Sequence, residues 1–237
     1  YFSTGKINLQ IHSSVLNGIK IACKKINIPL VGGEIAEMPK MYFKNEYDVA
    51  GFCVGIVNKN QIIDATKIKN GNILIGLFSS GLHSNGFSLI NKLIENKHIS
   101  LKNKIGSKNL GDILIKPTKL YVKAIAEVKK KIKIKGISHI TGGGITDNMK
   151  RIVPNGMYAQ INMKSWKIPE IFRYIQKKSK LNEKDLLKTF NCGIGMVLVV
   201  NQNDANKTLK VLQNNNFVSK IIGEIKNNRN KVKINYE

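Results

Sequence analysis

Short apolar runs alternate with segments of helical period along almost the whole chain, and this alternation limits the fold more than any other feature. "DVAGFCVGIV" (48–57), "NILIGLF" (72–78) and "GIGMVLVV" (193–200) read as buried strands. "GISHI" (136–140), "MYAQINM" (157–163), "SKIIGEI" (219–225) and "KVKINY" (231–236) read as shorter ones. Between them, residues 11–27 place Ile11, Val15, Ile19, Cys23 and Ile26 on one helical face, and Pro29 stops the helix. The same period recurs with Phe87, Ile90, Leu93 and Ile94, and again with Leu120, Ala124, Ile125 and Val128. Helices are also expected from Thr146 to Val153, over 169–179 with Pro169 in the first turn, over 182–190, and over 203–215 capped by Asn203 or Asp204. Strands alternating with helices indicate α/β or α+β layering. The polar, turn-rich stretch 58–71 is the best domain boundary.

Composition excludes several classes. The 237 residues can bury a real core, and 42% hydrophobic with 23% charged residues is ordinary globular usage. No apolar run reaches membrane-spanning length, so no membrane partner is expected. Three scattered cysteines, Cys23, Cys53 and Cys192, without a CxxC, argue against a disulfide framework or a zinc site and point to free thiols in a reducing cytoplasm. Cys192 beside glycine reads either as a nucleophile or as a small semi-buried residue next to a strand. The net charge of +24 raises the question of nucleic acid. The positive residues are nearly all lysines, dispersed, and accompanied by excess Asn and Ile, all residues with A/T-rich codons. Compositional drift explains this better than a specific nucleic-acid partner, although weak, salt-sensitive polyanion binding is expected. The chain starts at Tyr1 and reads as cut at that end.

Three glycine-bearing loops share one layout, with an apolar strand, then glycines, then a polar group within reach. They are "LVGGEIAEM" (30–38), "LFSSGLHSNG" (77–86) and "HITGGGITDN" (139–148), and a helix directly follows the last two. Glycines let backbone N–H groups approach an anion, although each loop alone is also an ordinary turn. Three together, two carrying a histidine, favour a phosphate-handling site. His83, among Ser79, Ser80, Ser84 and Asn85, suits a positioned acid/base or a phosphate donor. His139 is either such a group or a buried histidine at a strand end. Asp147 and Asn148 read as ligands or as the first turn of a helix. His12 and His98 lie on helical stretches without supporting groups and read as surface residues.

"LVGGEIAEMPKMY", "DVAGFCVGIV", "SSGLHSNGFSLI", "HITGGGITDN", "RIVP" and "FNCGIGMVLVV", in this order and spacing, closely resemble aminoimidazole ribonucleotide synthetase, also called phosphoribosylformylglycinamidine cyclo-ligase. "YFSTGKIN" at the start looks like a family segment too, so the resemblance runs from Tyr1 nearly to Glu237. It implies an ATP- and Mg2+-dependent enzyme of the fifth step of purine synthesis, cytoplasmic and homodimeric. Formylglycinamidine ribonucleotide and ATP would give aminoimidazole ribonucleotide, ADP and phosphate. The formyl amide oxygen is thought to be phosphorylated, the amidine nitrogen then attacks, and phosphate leaves as the ring closes. Such phosphoryl transfer needs positioning and charge neutralisation more than covalent chemistry.

By the same resemblance, Glu34 contacts magnesium or the nucleotide, with Gly32 and Gly33 beside it. His83 and His139 orient substrate or move protons. Ser84, Asn85, Gly86 and Thr141 line the substrate, and Gly142, Gly143 and Gly144 cradle a phosphate. Residues 1–63 would be the back part of an N-terminal, ATP-binding and dimerising α/β domain, and 64–237 a complete C-terminal α/β domain with a mixed sheet. Family members carry roughly a further third of chain upstream, with an Asp- and Gly-rich segment for ATP and magnesium. On that ground this chain alone is expected to have little or no activity. Two positions depart from the family. Ile35 stands where threonine is common and removes a hydroxyl beside Glu34, and Lys40 stands where glycine is common. Selenophosphate synthetase, thiamine-monophosphate kinase and a hydrogenase maturation factor share the fold and ATP use and remain alternatives. A basic nucleic-acid-binding protein and an assembly domain that has lost catalysis are further ones.

Overall fold

The computed structural model describes residues 1–227 and 233–237. The chain divides into two compact units, Tyr1–Ile62 and Ile63–Glu237.

The smaller unit is built on a three-stranded sheet. Strand β1 (Phe2–Thr4) lies in the middle, parallel to β2 (Ile35–Glu37) and antiparallel to β3 (Tyr47–Val49). Helix α1 (Leu9–Ile26) starts where the Asn8 side chain accepts from the N–H groups of Gln10 and Ile11 at 3.0 and 3.2 Å. It ends at Asn27, whose left-handed backbone (φ 55°) turns the chain, so Asn27 and not Pro29 stops the helix. His12, expected on the surface, is buried. Its ring meets Phe2 edge-on at 5.0 Å, and Phe2 stacks on Tyr47. His98 is exposed in the turn after a helix and not within one.

The expected buried strand over 48–57 is a correction. Only Tyr47–Val49 finds a ladder partner, in β1, and residues 50–57 have no strand structure. Phe52, Val54 and Ile56 are 93%, 94% and 103% exposed. Apolar alternation reports only that a segment suits burial. It becomes a strand when a neighbour satisfies its backbone.

The larger unit is a three-layer α/β structure. Its elements are β4 (Ile73–Phe78), α2 (Phe87–Glu95), the small hairpin β5 (Lys104–Ile105) and β6 (Lys108–Asn109), α3 (Leu110–Leu114), α4 (Val122–Lys129) and β7 (Gly136–His139). There follow α5 (Gly144–Lys150), β8 (Met157–Ile161), α6 (Glu170–Ser179), α7 (Glu183–Thr189), β9 (Ile194–Val200), α8 (Ala205–Asn214), β10 (Ser219–Asn227) and β11 (Ile234–Tyr236). The expected strand 231–236 begins on two residues outside the described set. Neither Asn203 nor Asp204 caps α8 through its side chain, because Asp204 instead accepts from Asn201.

Six strands form a mixed sheet in the order β11-β8-β10-β4-β9-β7, parallel between β11 and β8 and antiparallel elsewhere. Strand β9 is buried at all seven positions, and from Met196 on its side chains alternate between two cores, after an irregularity opposite Leu77 and Phe78. Ile194, Val197 and Val199 join Leu74 under α2, α5, α6 and α7, packing on Ile90, Met149, Phe172 and Leu187. Met196, Leu198 and Val200 join Ile75 and Leu77 under α4 and α8, packing on Val128 and Leu212. Each such side chain removed from water contributes roughly 1.5–3 kcal/mol, which is why the strand admits no polar residue.

This topology positions the loops. Strands β4 and β7 both run antiparallel to β9 and flank it, so they run the same way. Their last residues, Phe78 and His139, pair with Ile194 and Met196 at the start of β9. The loops after β4 and β7 and the loop before β9 therefore lie side by side at one end of the sheet.

Candidate active site

The loop 79–86 leaves β4 and is tied down by an asparagine the sequence reading overlooked. Asn191, 2% exposed, donates from Nδ2 to the Gly81 carbonyl at 2.8 Å. Its Oδ1 accepts from Ser79 Oγ at 3.0 Å and from the Gly193 N–H at 2.9 Å. One buried amide thus binds the loop after β4 to the turn before β9. On the other side, Ser80 Oγ donates to the Pro117 carbonyl and Ser84 Oγ bonds Thr118 Oγ1. Gly86 begins α2 with φ 81°, and a Cβ there would collide with the Phe190 ring. Its lack of a side chain serves packing.

His83 adopts φ 58°, a left-handed conformation that is uncommon for a histidine and turns its ring inward. The side chain is 4% exposed. Nε2 accepts from the N–H of Ser80 at 3.2 Å and, at the long limit of 3.5 Å, from that of Lys119. That network puts the ring proton on Nδ1, which is buried and has no partner among the described residues. Burial, reinforced by the nearby His139 and Lys119, lowers the imidazole from 6.5 to about 4. At neutral pH His83 is therefore uncharged, and it takes up a second proton only near about 4.

His139, the last residue of β7, is solvent-facing, and partial burial lowers its proton affinity as well. Both imidazoles lie against Tyr121, at ring-centroid distances of 6.2 Å for His83 and 6.0 Å for His139.

The loop 140–144 is held from below by Asn148. Its Nδ2 donates to the carbonyls of Gly144 at 2.8 Å and Gly142 at 3.0 Å, and its Oδ1 accepts from Thr141 Oγ1 at 3.2 Å. Asn148 is thus a structural holder of the loop. Gly143 and Gly144 take φ 91° and 58°, and Gly144 sits against the backbone of Leu187 and Phe190. Gly142 is different. Nothing lies nearer to an ideal Cβ there than Asn85 Oδ1, at 3.6 Å. Among the described residues, the N–H groups of Thr141, Gly142 and Gly143 have no acceptor, and an anion would satisfy them. Of the three glycines, only Gly142 has room for a side chain, whereas Gly143 and Gly144 are crowded.

Gly32, Gly33 and Glu34 belong to the Tyr1–Ile62 unit. No strand precedes these glycines. They lie in an open loop, with nothing within 4 Å of a Cβ on either, and β2 begins after them at Ile35. Glu34 is exposed, and its carbonyl accepts from the Phe2 N–H at 2.9 Å. Glu37 binds the Ile7 N–H through Oε1 at 2.6 Å and is a structural partner. Ile35 is half-exposed in register with Phe2, and Lys40 lies in a turn without the positive φ that would need glycine.

Among the described residues no three His, Cys, Asp or Glu side chains gather as a metal cluster. A single exposed carboxylate suits Mg2+, which commonly takes one or two protein carboxylates and completes its shell with phosphate and water oxygens. Cys192 is buried and its thiol is pushed up to about 12, chiefly by burial, which removes it as a nucleophile.

Two family models cover the chain, the AIR synthase related protein N-terminal domain over residues 1–57 and its C-terminal domain over 69–235. A phosphoribosylformylglycinamidine cyclo-ligase of Thermoanaerobacter pseudethanolicus is 48% identical over 228 residues, covering 95% of this chain and 68% of that protein. The chain belongs to the phosphoribosylformylglycinamidine cyclo-ligase family. The chloroplastic cyclo-ligase of Arabidopsis thaliana is 42% identical over 96% of the chain and 59% of its own length. Among solved structures, E. coli HypE matches with TM-score 0.69 at 15% identity over 99% of this chain and 67% of that one. The thiamine-monophosphate kinase of Stenotrophomonas maltophilia matches with TM-score 0.68 at 12% identity over 100% and 70%. These remote likenesses show the fold of this chain alone. Among the described residues no helix is long and apolar enough to cross a membrane.

Proposed function

We propose that the gene product carrying this chain catalyses the ATP-dependent closure of formylglycinamidine ribonucleotide to aminoimidazole ribonucleotide, with release of ADP and phosphate, in the cytoplasm, and that the chain alone has little or no activity. The observation that carries the reading is the meeting of the "HSNG" and "HITGGG" loops at one end of the larger sheet, with His83 and His139 on one tyrosine, in a chain nearly half identical to named cyclo-ligases.

Bound ATP with Mg2+ supplies the phosphoryl group that makes the amide oxygen a good leaving group, and Glu34 is the residue that would hold the metal. The free N–H groups of Thr141, Gly142 and Gly143 hold a phosphate, with Asn85 and Ser84 at its rim. His83, buried and uncharged, orients the substrate through the loop that it anchors at the Ser80 N–H. Solvent-facing His139 takes the proton from the amidine nitrogen as it attacks. Two groups with environments this different support a split between a fixed orienting group and a mobile proton carrier. Such groups contribute on the order of a hundred- to ten-thousand-fold. In this reading residues 1–63 belong to an ATP-binding domain that pairs in a homodimer, and 64–237 form the second domain.

The test is ATP consumption by the gene product offered formylglycinamidine ribonucleotide, thiamine monophosphate or selenide in turn. Turnover with the first alone is expected. Turnover with another, and none with the first, overturns the reading.

A further inference from the structure

Tyr121 touches both histidines, and ring closure as set out above gives it no part. Its side chain is 4% exposed. Its hydroxyl donates to the carbonyl of Phe78 at 3.0 Å, at the point where β4 ends and the histidine loop begins. Strand β9 makes room for it. An ideal Cβ on Gly195 would lie 2.5 Å from His83 Cε1 and 3.0 Å from Tyr121 Cζ, so both rings rest on bare backbone. The tyrosine is thus fixed by a carbonyl at its tip and by Gly195 beneath it, with both imidazoles packed on its ring.

We propose that Tyr121 is a positioning residue, a wedge that holds His83 and His139 apart and seals His83 from water. The consequence for catalysis rests on the ring-closure reading, in which the two imidazoles do different work. The charged and titratable groups facing His83 are His139 from β7, Lys119 from the segment before α4, and Tyr121 itself. Both cationic neighbours disfavour its protonation, but burial is the largest cause, and the buried Tyr121 ring, 6.2 Å away, is one of the groups packed against it. Opening that side admits water, so His83 gains a proton more readily even though His139 can come nearer.

The experiment is imidazole NMR on the protein across the acid range, with Tyr121→Phe and Tyr121→Leu beside the wild type. Wild-type His83 is expected to titrate near about 4, and the Phe variant, which keeps the ring, to match it. In the Leu variant the midpoint rises by about a unit or more. In ring closure the Leu variant loses about ten- to a hundredfold in kcat with KM little changed, and Phe restores most of it. A folded Leu variant whose His83 titration does not move overturns the proposal. Should that variant fail to fold, wild-type ring-proton contacts from Tyr121 to both imidazoles decide. Their presence supports the wedge and their absence overturns it. A shifted titration in a protein that closes no ring leaves the wedge standing and removes the functional reading alone.

Discussion

Asn191 donates to the carbonyl of Gly81 at 2.8 Å across 110 residues of sequence, and its amide oxygen is simultaneously bonded to Ser79 and Gly193. The loop that carries His83 therefore has its shape set by a residue of another loop. Asn191→Ala removes three hydrogen bonds from a buried position and leaves their partners unsatisfied. A loss of about 2–4 kcal/mol is expected in urea unfolding, with the His83 loop losing hydrogen-exchange protection first.

The glycines of the two histidine loops separate by what surrounds them. Gly144→Ala forces a Cβ into the Leu187 and Phe190 backbone at a positive φ, and a folding defect of about 2–4 kcal/mol is expected. Gly142→Ala meets nothing nearer than 3.6 Å, so it should fold normally and weaken ATP or substrate binding instead. Thermal melts paired with binding titrations distinguish the two.

Glu34 and Glu37 divide in the same way. Glu37→Gln weakens the bond to the Ile7 N–H and should lower stability by about 1 kcal/mol. Glu34→Gln should leave the melting temperature unchanged and raise the Mg2+ concentration needed for half-maximal turnover.

Acid destabilises the fold through His83. The unfolded imidazole takes up its proton near 6.5, and the folded one only near about 4. Between these values the unfolded state binds more protons, so stability falls as pH drops through that window and is fully present above it. His139, also lowered, acts with the same sign. In His83→Asn this part of the pH dependence should disappear from melts recorded across the window.

Thiol labelling should rank the cysteines by burial. Exposed Cys53 reacts in the native protein, half-buried Cys23 more slowly, and Cys192 only on unfolding. Rapid native labelling of Cys192 would contradict its burial and its raised pKa.

The sequence by itself determined the alternation of strands and helices, the two histidine loops and the family. Each of these is local. "GIGMVLVV" reads as a strand because every side chain in it is apolar, and Gly86 and Gly144 mark turns because only glycine sits easily there. Tertiary structure alone decided what depends on neighbours distant in sequence. It exposed Phe52, Val54 and Ile56 because 50–57 has no ladder partner, and it buried His12 against Phe2. It turned Asn148 and Asn191 from possible ligands or unremarked polar residues into loop holders. It also brought His83, Tyr121 and His139 onto one end of a sheet whose strand order no linear pattern shows. Hydrophobic period states which residues seek burial. Which partners bury them, and which polar groups are then left to serve a ligand, is settled when strands from far along the chain pair.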